Sequence, residues 1–121
     1  MRSSGGRNTL RHLMIPTYAA SSEAVAIKAL SENFPQGDDK IIVSIHSYTP
    51  YKFTMNPFGG DEWISDIHEK EIDQLFDKLR ENFLDEGIPV ILGEASVVNK
   101  NDNLESRVAW TRYYFGKARE F

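Results

Sequence analysis

Three short apolar runs, each followed by a stretch of helical periodicity, organise the chain. Leu13-Met14-Ile15 is cut by Pro16 and small residues, which predicts a brief strand running into a loop. Ser21 and Ser22 then offer an N-cap, with Glu23 in the first turn. Val25, Ala26, Ala29, Leu30 and Asn33 follow at helical spacing until Pro35-Gln36-Gly37, predicting a helix over about 22–33. Ile41-Ile42-Val43-Ser44-Ile45 is β-branched and almost continuously apolar, the pattern of a strand buried on both faces. A loop to about residue 65 carries Pro57, Gly59, Gly60 and Trp63; it is long for a plain connector. Asp66 and Glu69 have capping-box spacing, and Ile72, Leu75, Phe76, Leu79 and Phe83 recur at offsets 0, 3, 4, 7 and 11 before Gly87 closes the helix. Pro89-Val90-Ile91-Leu92-Gly93 forms a third strand ending at Glu94. Asp102 and Glu105 repeat the capping-box spacing before a last helix through Leu104, Val108, Ala109 and Phe115 to about residue 119.

Strand and helix alternate three times, which indicates an α/β fold with a parallel sheet joined by crossovers. In such folds the polar residues at the carboxyl ends of the strands collect on one rim. Here that rim holds Thr17 and Tyr18, His46 and Tyr48, and Glu94.

Composition narrows the function classes. The 121 residues leave room for one domain, 1–121, and carry 14 Lys+Arg against 18 Asp+Glu, a net charge of −4. That balance, without a basic run, gives no reason to expect nucleic acid. No apolar run is long enough for a membrane helix, and the first 20 residues lack a signal-peptide core. With no cysteine, thiolate chemistry and disulfides are excluded.

Glu94 is the most informative residue, a carboxylate where a parallel strand emerges. Tyr48 and His46, on the neighbouring strand end, are placed to donate to it or relay a proton. The i, i+2 spacing puts both on one side of an extended chain. The competing reading has Glu94 capping loop backbone or pairing with Lys100. Trp63 and Tyr51 have two readings as well, stacking on a sugar ring or hydrophobic cover for the loop. Asp61, Glu62, Asp66, His68 and Glu69 match no metal-ligand spacing and read as a solvated loop entering a helix cap. No phosphate loop or nucleophile elbow is present, and the residues call for no metal and no cofactor.

At these residues the sequence resembles glycoside hydrolase family 5, the cellulase-type (β/α)8 TIM barrels. The matching stretches are Arg11-His12-Leu13-Met14-Ile15-Pro16-Thr17-Tyr18-Ala19-Ala20-Ser21, Ile45-His46-Ser47-Tyr48-Thr49-Pro50-Tyr51, and Pro89-Val90-Ile91-Leu92-Gly93-Glu94. Asn99-Lys100 and the helix around Arg107-Val108-Ala109-Trp110 also fit.

The resemblance implies a partial TIM barrel of three consecutive βα units, strands five to seven. It implies Glu94 as the nucleophile of a retaining endo-β-1,4-glucanase, Tyr48 orienting it and His46 supporting the catalytic pair. Trp63, Tyr51 and Tyr18 would meet the β-glucan. Many relatives carry Phe-Gly after the nucleophile, where this chain has Ala95-Ser96. The family's acid/base lies in an Asn-Glu-Pro motif on strand four, which does not occur here. The expectation is therefore a fragment without turnover of its own, whose partner is the missing N-terminal part of the barrel. Such hydrolases are mostly secreted. The alternative from the residues is a small non-catalytic carbohydrate-binding α/β module.

Overall fold

The computed structural model describes residues 2–121. Three parallel strands lie in the order β1 (Leu13–Ser21), β2 (Ile41–His46), β3 (Val90–Glu94). Helix α1 (Ala24–Glu32) connects the first pair. The second connection holds a short helix α2 (Tyr51–Thr54) and the long α3 (Ser65–Asn82), and α4 (Leu104–Ala118) follows β3. Three consecutive parallel βα units of this kind are the repeating pattern of a segment of a TIM barrel.

Packing follows the periodicities. Ile41, Val43 and Ile45, at alternate positions of β2, are 0–5% exposed. The core joins Val43 and Ile45 to Ile27 of α1, to Ile72, Leu75, Phe76 and Leu79 of α3, and to Trp110 and Tyr114 of α4. The helical stripe read from the chain is thus the buried face of α3. The opposite sheet face is less covered: Met14 is 55% and Ile91 39% exposed. β2 is therefore closed on its helix side and only partly closed on the other, not buried on both faces.

Pro16 does not end β1. The strand runs on to Ser21 because β1 lies at the edge of the sheet, where a missing N–H costs no ladder bond. Between Pro16 and Ser21 the pairing with β2 shifts. There Ala19 and Ala20 adopt φ values of 52° and 53°, left-handed backbone that is unfavourable for residues with a Cβ. Thr17, expected on the rim, is instead 1% exposed and donates its hydroxyl to Ser21 O at 2.7 Å.

The expected capping boxes are absent. Ser21 Oγ accepts the Glu23 N–H at 3.1 Å, and α1 begins one residue later, without a side-chain cap. At α3 the Ile64 N–H donates to His68 Nδ1 at 3.1 Å, which displaces the Asp66/Glu69 arrangement. Before α4, Asn103 turns into the loop. Its Oδ1 accepts the Lys100 N–H at 3.0 Å and its Nδ2 donates to Asp61 O at 2.9 Å. Gly87, at φ 74°, comes after a 3-10 turn over Leu84–Glu86 rather than directly after α3.

Candidate active site

The ends of β2 and β3 are not in simple register. Ile45 pairs with Leu92, but His46 pairs with Glu94, so Gly93 is an extra residue in β3. Along a regular strand Ile91 and Gly93 share the open face, and Glu94 belongs to the helix side. One inserted residue reverses that facing. The burial along β3 records the break: Val90 and Leu92 are partly covered, while Ile91, Gly93 and Glu94 are exposed. Gly93 is suited to the bulge because a Cβ there would come within 3.1 Å of His46 Cδ2 and Nε2 and of Ser44 Oγ. The imidazole and the serine hydroxyl occupy the space that a side chain would need.

This turn aims Glu94 at its neighbours. Tyr48 OH donates to Glu94 Oε2 at 2.5 Å, and His46 Nδ1 lies 3.4 Å from the same oxygen. The Ser47 N–H donates to Glu94 O at 2.9 Å, tying the two backbones together beneath the side chains. Both side-chain contacts fall on Oε2. No hydrogen bond to Oε1 occurs among the described residues. The side chain of Glu94 is 56% exposed and that of His46 37%, so the group is open to a ligand. The hydrogen bond to Glu94 raises the Tyr48 phenol above its ordinary value, with burial adding in the same direction. Tyr48 therefore keeps its proton and acts as a donor.

A cleft of about 290 Å³ opens beside this group, between Ala19, Ala20 and Ser21 on one wall and His46, Tyr48 and Tyr51 on the other. The left-handed pair in β1 thus forms part of its rim. Tyr51 is 65% exposed there and Tyr18, just before the bent segment, 87%. A larger hollow of about 800 Å³ lies at the opposite end of the strands, by Gly37, Asp38 and Pro89, away from the Glu94 group.

Trp63 is not brought to the cleft. Its ring meets Phe53 edge-on at 5.6 Å and approaches His68 at 5.1 Å and Tyr113 at 6.3 Å, while Nε1 donates to Ser65 Oγ at 3.1 Å. These contacts hold it between the loop and the α3/α4 layer. Lys100 is not a partner of Glu94 either. Its ammonium donates to the carbonyls of Lys52, Asn56 and Gly60. Members of the acidic run serve the fold: Asp61 accepts from Asn101 Nδ2 at 2.8 Å, which lowers its pKa, and His68 accepts the Ile64 N–H at the start of α3.

A parallel βα segment with a carboxylate, a phenol and an imidazole gathered at its strand ends has the form of part of a barrel whose polar groups collect on the C-terminal rim. The chain belongs to glycosyl hydrolase family 5, the cellulase family, whose profile matches residues 1–120. Endoglucanase B of Neocallimastix patriciarum is 47% identical over 119 residues, 98% of this chain and 24% of that protein. Endoglucanase 1 of Ruminococcus albus is 40% identical over 121 residues, 100% of this chain and 29% of that protein. A solved GH5-4 broad specificity endoglucanase from Clostridium acetobutylicum superposes with a TM-score of 0.88 at 36% identity, covering 98% of this chain and 35% of that one. The Ruminococcus champanellensis enzyme with bound cellotriose gives 0.83 at 34% identity, covering 98% and 34%. The chain spans roughly a quarter to a third of these relatives.

Proposed function

We propose that Glu94 is the nucleophile of a retaining endo-β-1,4-glucanase of which this chain is one domain segment. The observation that carries the reading is the convergence of Tyr48 OH and His46 Nδ1 on a single oxygen, Oε2, of a solvent-open carboxylate. Two restraints on one oxygen fix the plane of the carboxylate and leave Oε1 to attack. A phenol that keeps its proton donates without neutralising the charge that attack requires. Oε1 bonds to the anomeric carbon as the glycosidic C–O bond breaks, and the leaving oxygen takes a proton from an acid. Water, giving up a proton to the conjugate base of that acid, then attacks the same carbon and frees Glu94. The second carboxyl group, which retaining chemistry places about 5–5.5 Å from the first, is assigned to a part of the enzyme outside residues 1–121.

The substrate class follows from this assignment: a β-1,4-glucan chain, with Tyr51, which lines the cleft, and Tyr18, exposed next to Ala19 in the chain, as aromatic faces. A polymeric substrate of this kind is met outside the cell, so the enzyme is read as exported.

The nucleophile is testable without the acid/base. A 2,4-dinitrophenyl 2-deoxy-2-fluoro-β-cellobioside carries a leaving group that departs without protonation. Mixed with the chain, it should add one fluorocellobiosyl unit to the intact mass, mapped to Glu94 by peptide sequencing, and Glu94→Gln should stay unlabelled. Labelling of another carboxylate, or equal labelling of Glu94→Gln, overturns the assignment.

A further inference from the structure

Six residues beyond Glu94, Lys100 is 9% exposed. Its ammonium donates to Lys52 O at 3.1 Å, Asn56 O at 3.0 Å and Gly60 O at 2.9 Å, which uses all three of its N–H groups. The Phe53 ring centroid lies 5.8 Å from Nζ. Carbonyl oxygens converging on one positive charge are what a bound monovalent cation receives when protein dipoles replace its water.

The loop is shaped around that charge. A Cβ at Gly59 would sit 1.8 Å from Lys52 O, itself one of the three acceptors, so the chain closes tightly on itself to bring the carbonyls together. The same loop reaches back to the candidate site. The Thr54 hydroxyl donates to Tyr48 O, and the Val98 N–H, between Glu94 and Lys100, donates to Thr54 O at 2.9 Å. The ammonium therefore fastens the segment that carries Tyr48 to the segment that carries Glu94.

We propose that Lys100 is a positioning residue acting as a tethered monovalent cation: its ammonium winds the loop over residues 52–60 and thereby holds the Tyr48 hydroxyl on Glu94. The carbonyl cage left by truncation of the side chain then accepts an alkylammonium ion from solution. The inference goes beyond the nucleophile reading and needs only the Tyr48–Glu94 contact, so its readout is a tyrosine titration rather than turnover. A wrong nucleophile assignment would leave that readout intact.

The experiment compares the Tyr48 phenol titration, followed by NMR, in the unmodified chain and in Lys100→Ala. Truncation should lower the Tyr48 titration toward the ordinary tyrosine range, because the donor is no longer held on the carboxylate. Propylammonium, which restores the missing atoms, should return it; tetramethylammonium at equal ionic strength, having no N–H donors, should not. An unchanged titration in folded Lys100→Ala overturns the proposal, as does equal restoration by both cations. Failure of Lys100→Ala to fold in propylammonium overturns it too. In the unmodified chain the ¹⁵N signal of the Lys100 ammonium should exchange slowly with water and show hydrogen-bond couplings to the Lys52, Asn56 and Gly60 carbonyl carbons. Fast exchange without couplings removes the cage.

Discussion

The imidazole of His46 lies against Gly93 so closely that a methyl group on that glycine would come within 3.1 Å of two ring atoms. The bulge, the missing side chain and the orientation of Glu94 are one device. Gly93→Ala should cost about 1–3 kcal/mol through overpacking and push the imidazole away from Oε2. Urea unfolding gives the stability loss, and a nuclear Overhauser measurement between His46 and Glu94 reports the displacement. An alanine variant of full stability with His46 in place would show that the contact is not restrictive.

Tyr48→Phe removes the hydroxyl and leaves the ring. Oε2 then keeps only His46, and the carboxylate plane loosens. The rate of Glu94 labelling by the fluorocellobioside should fall roughly tenfold. That is less than the roughly 10²–10³ lost with a buried donor, because Glu94 is open to water that partly replaces the phenol. Intact-mass kinetics measures it.

Trp63→Ala separates the two readings of that ring. A fully buried Trp→Ala change costs about 3–5 kcal/mol; Trp63 is half-buried, so about 2 kcal/mol is expected. Since the ring packs on Phe53, His68 and Tyr113, the labelling rate at Glu94 should not change. A large drop in labelling with unchanged stability would return Trp63 to the sugar.

His68 gives the fold a pH dependence of known sign. Its Nδ1 accepts the Ile64 N–H, which requires a neutral ring. Burial lowers its pKa from 6.5, against the opposing charge of Glu71. The unfolded chain therefore binds this proton more readily than the folded one. The contribution to stability is complete above about pH 6.5 and is lost as the pH falls below it, through the lowered folded value. Chemical denaturation at a series of pH values should show this slope, and His68→Gln should flatten it.

How much of this was legible in the chain varies by residue. His46 and Tyr48 were readable as partners because period-two spacing places them on one side, and Glu94 because it ends an apolar run. The bulge was not readable. Strand alternation assigns Glu94 to the wrong face, and only the pairing of His46 with Glu94 rather than Gly93 corrects it. Pro16 looked like a terminator because its edge position depends on neighbours that no local pattern encodes. Asp66/Glu69 and Asp102/Glu105 had capping-box spacing, but His68 and Asn103 offered the backbone nearer partners. Gly59 and Gly60 were visible as loop glycines. That a Cβ at Gly59 would meet Lys52 O, and that Lys100 donates to the Gly60 carbonyl, depends on residues removed from them along the chain, and separation of that kind carries no periodic signal.

The strand order stops at β1 on one side and β3 on the other, so among the described residues each outer flank is without a strand partner. A parallel strand joining either flank must run the same way, and its own carboxyl end then lies on the same rim as Glu94. For the nucleophile proposed above, directionality alone would bring an acid at the end of such a strand to the same rim, leaving only lateral spacing to be set by which strand carries it.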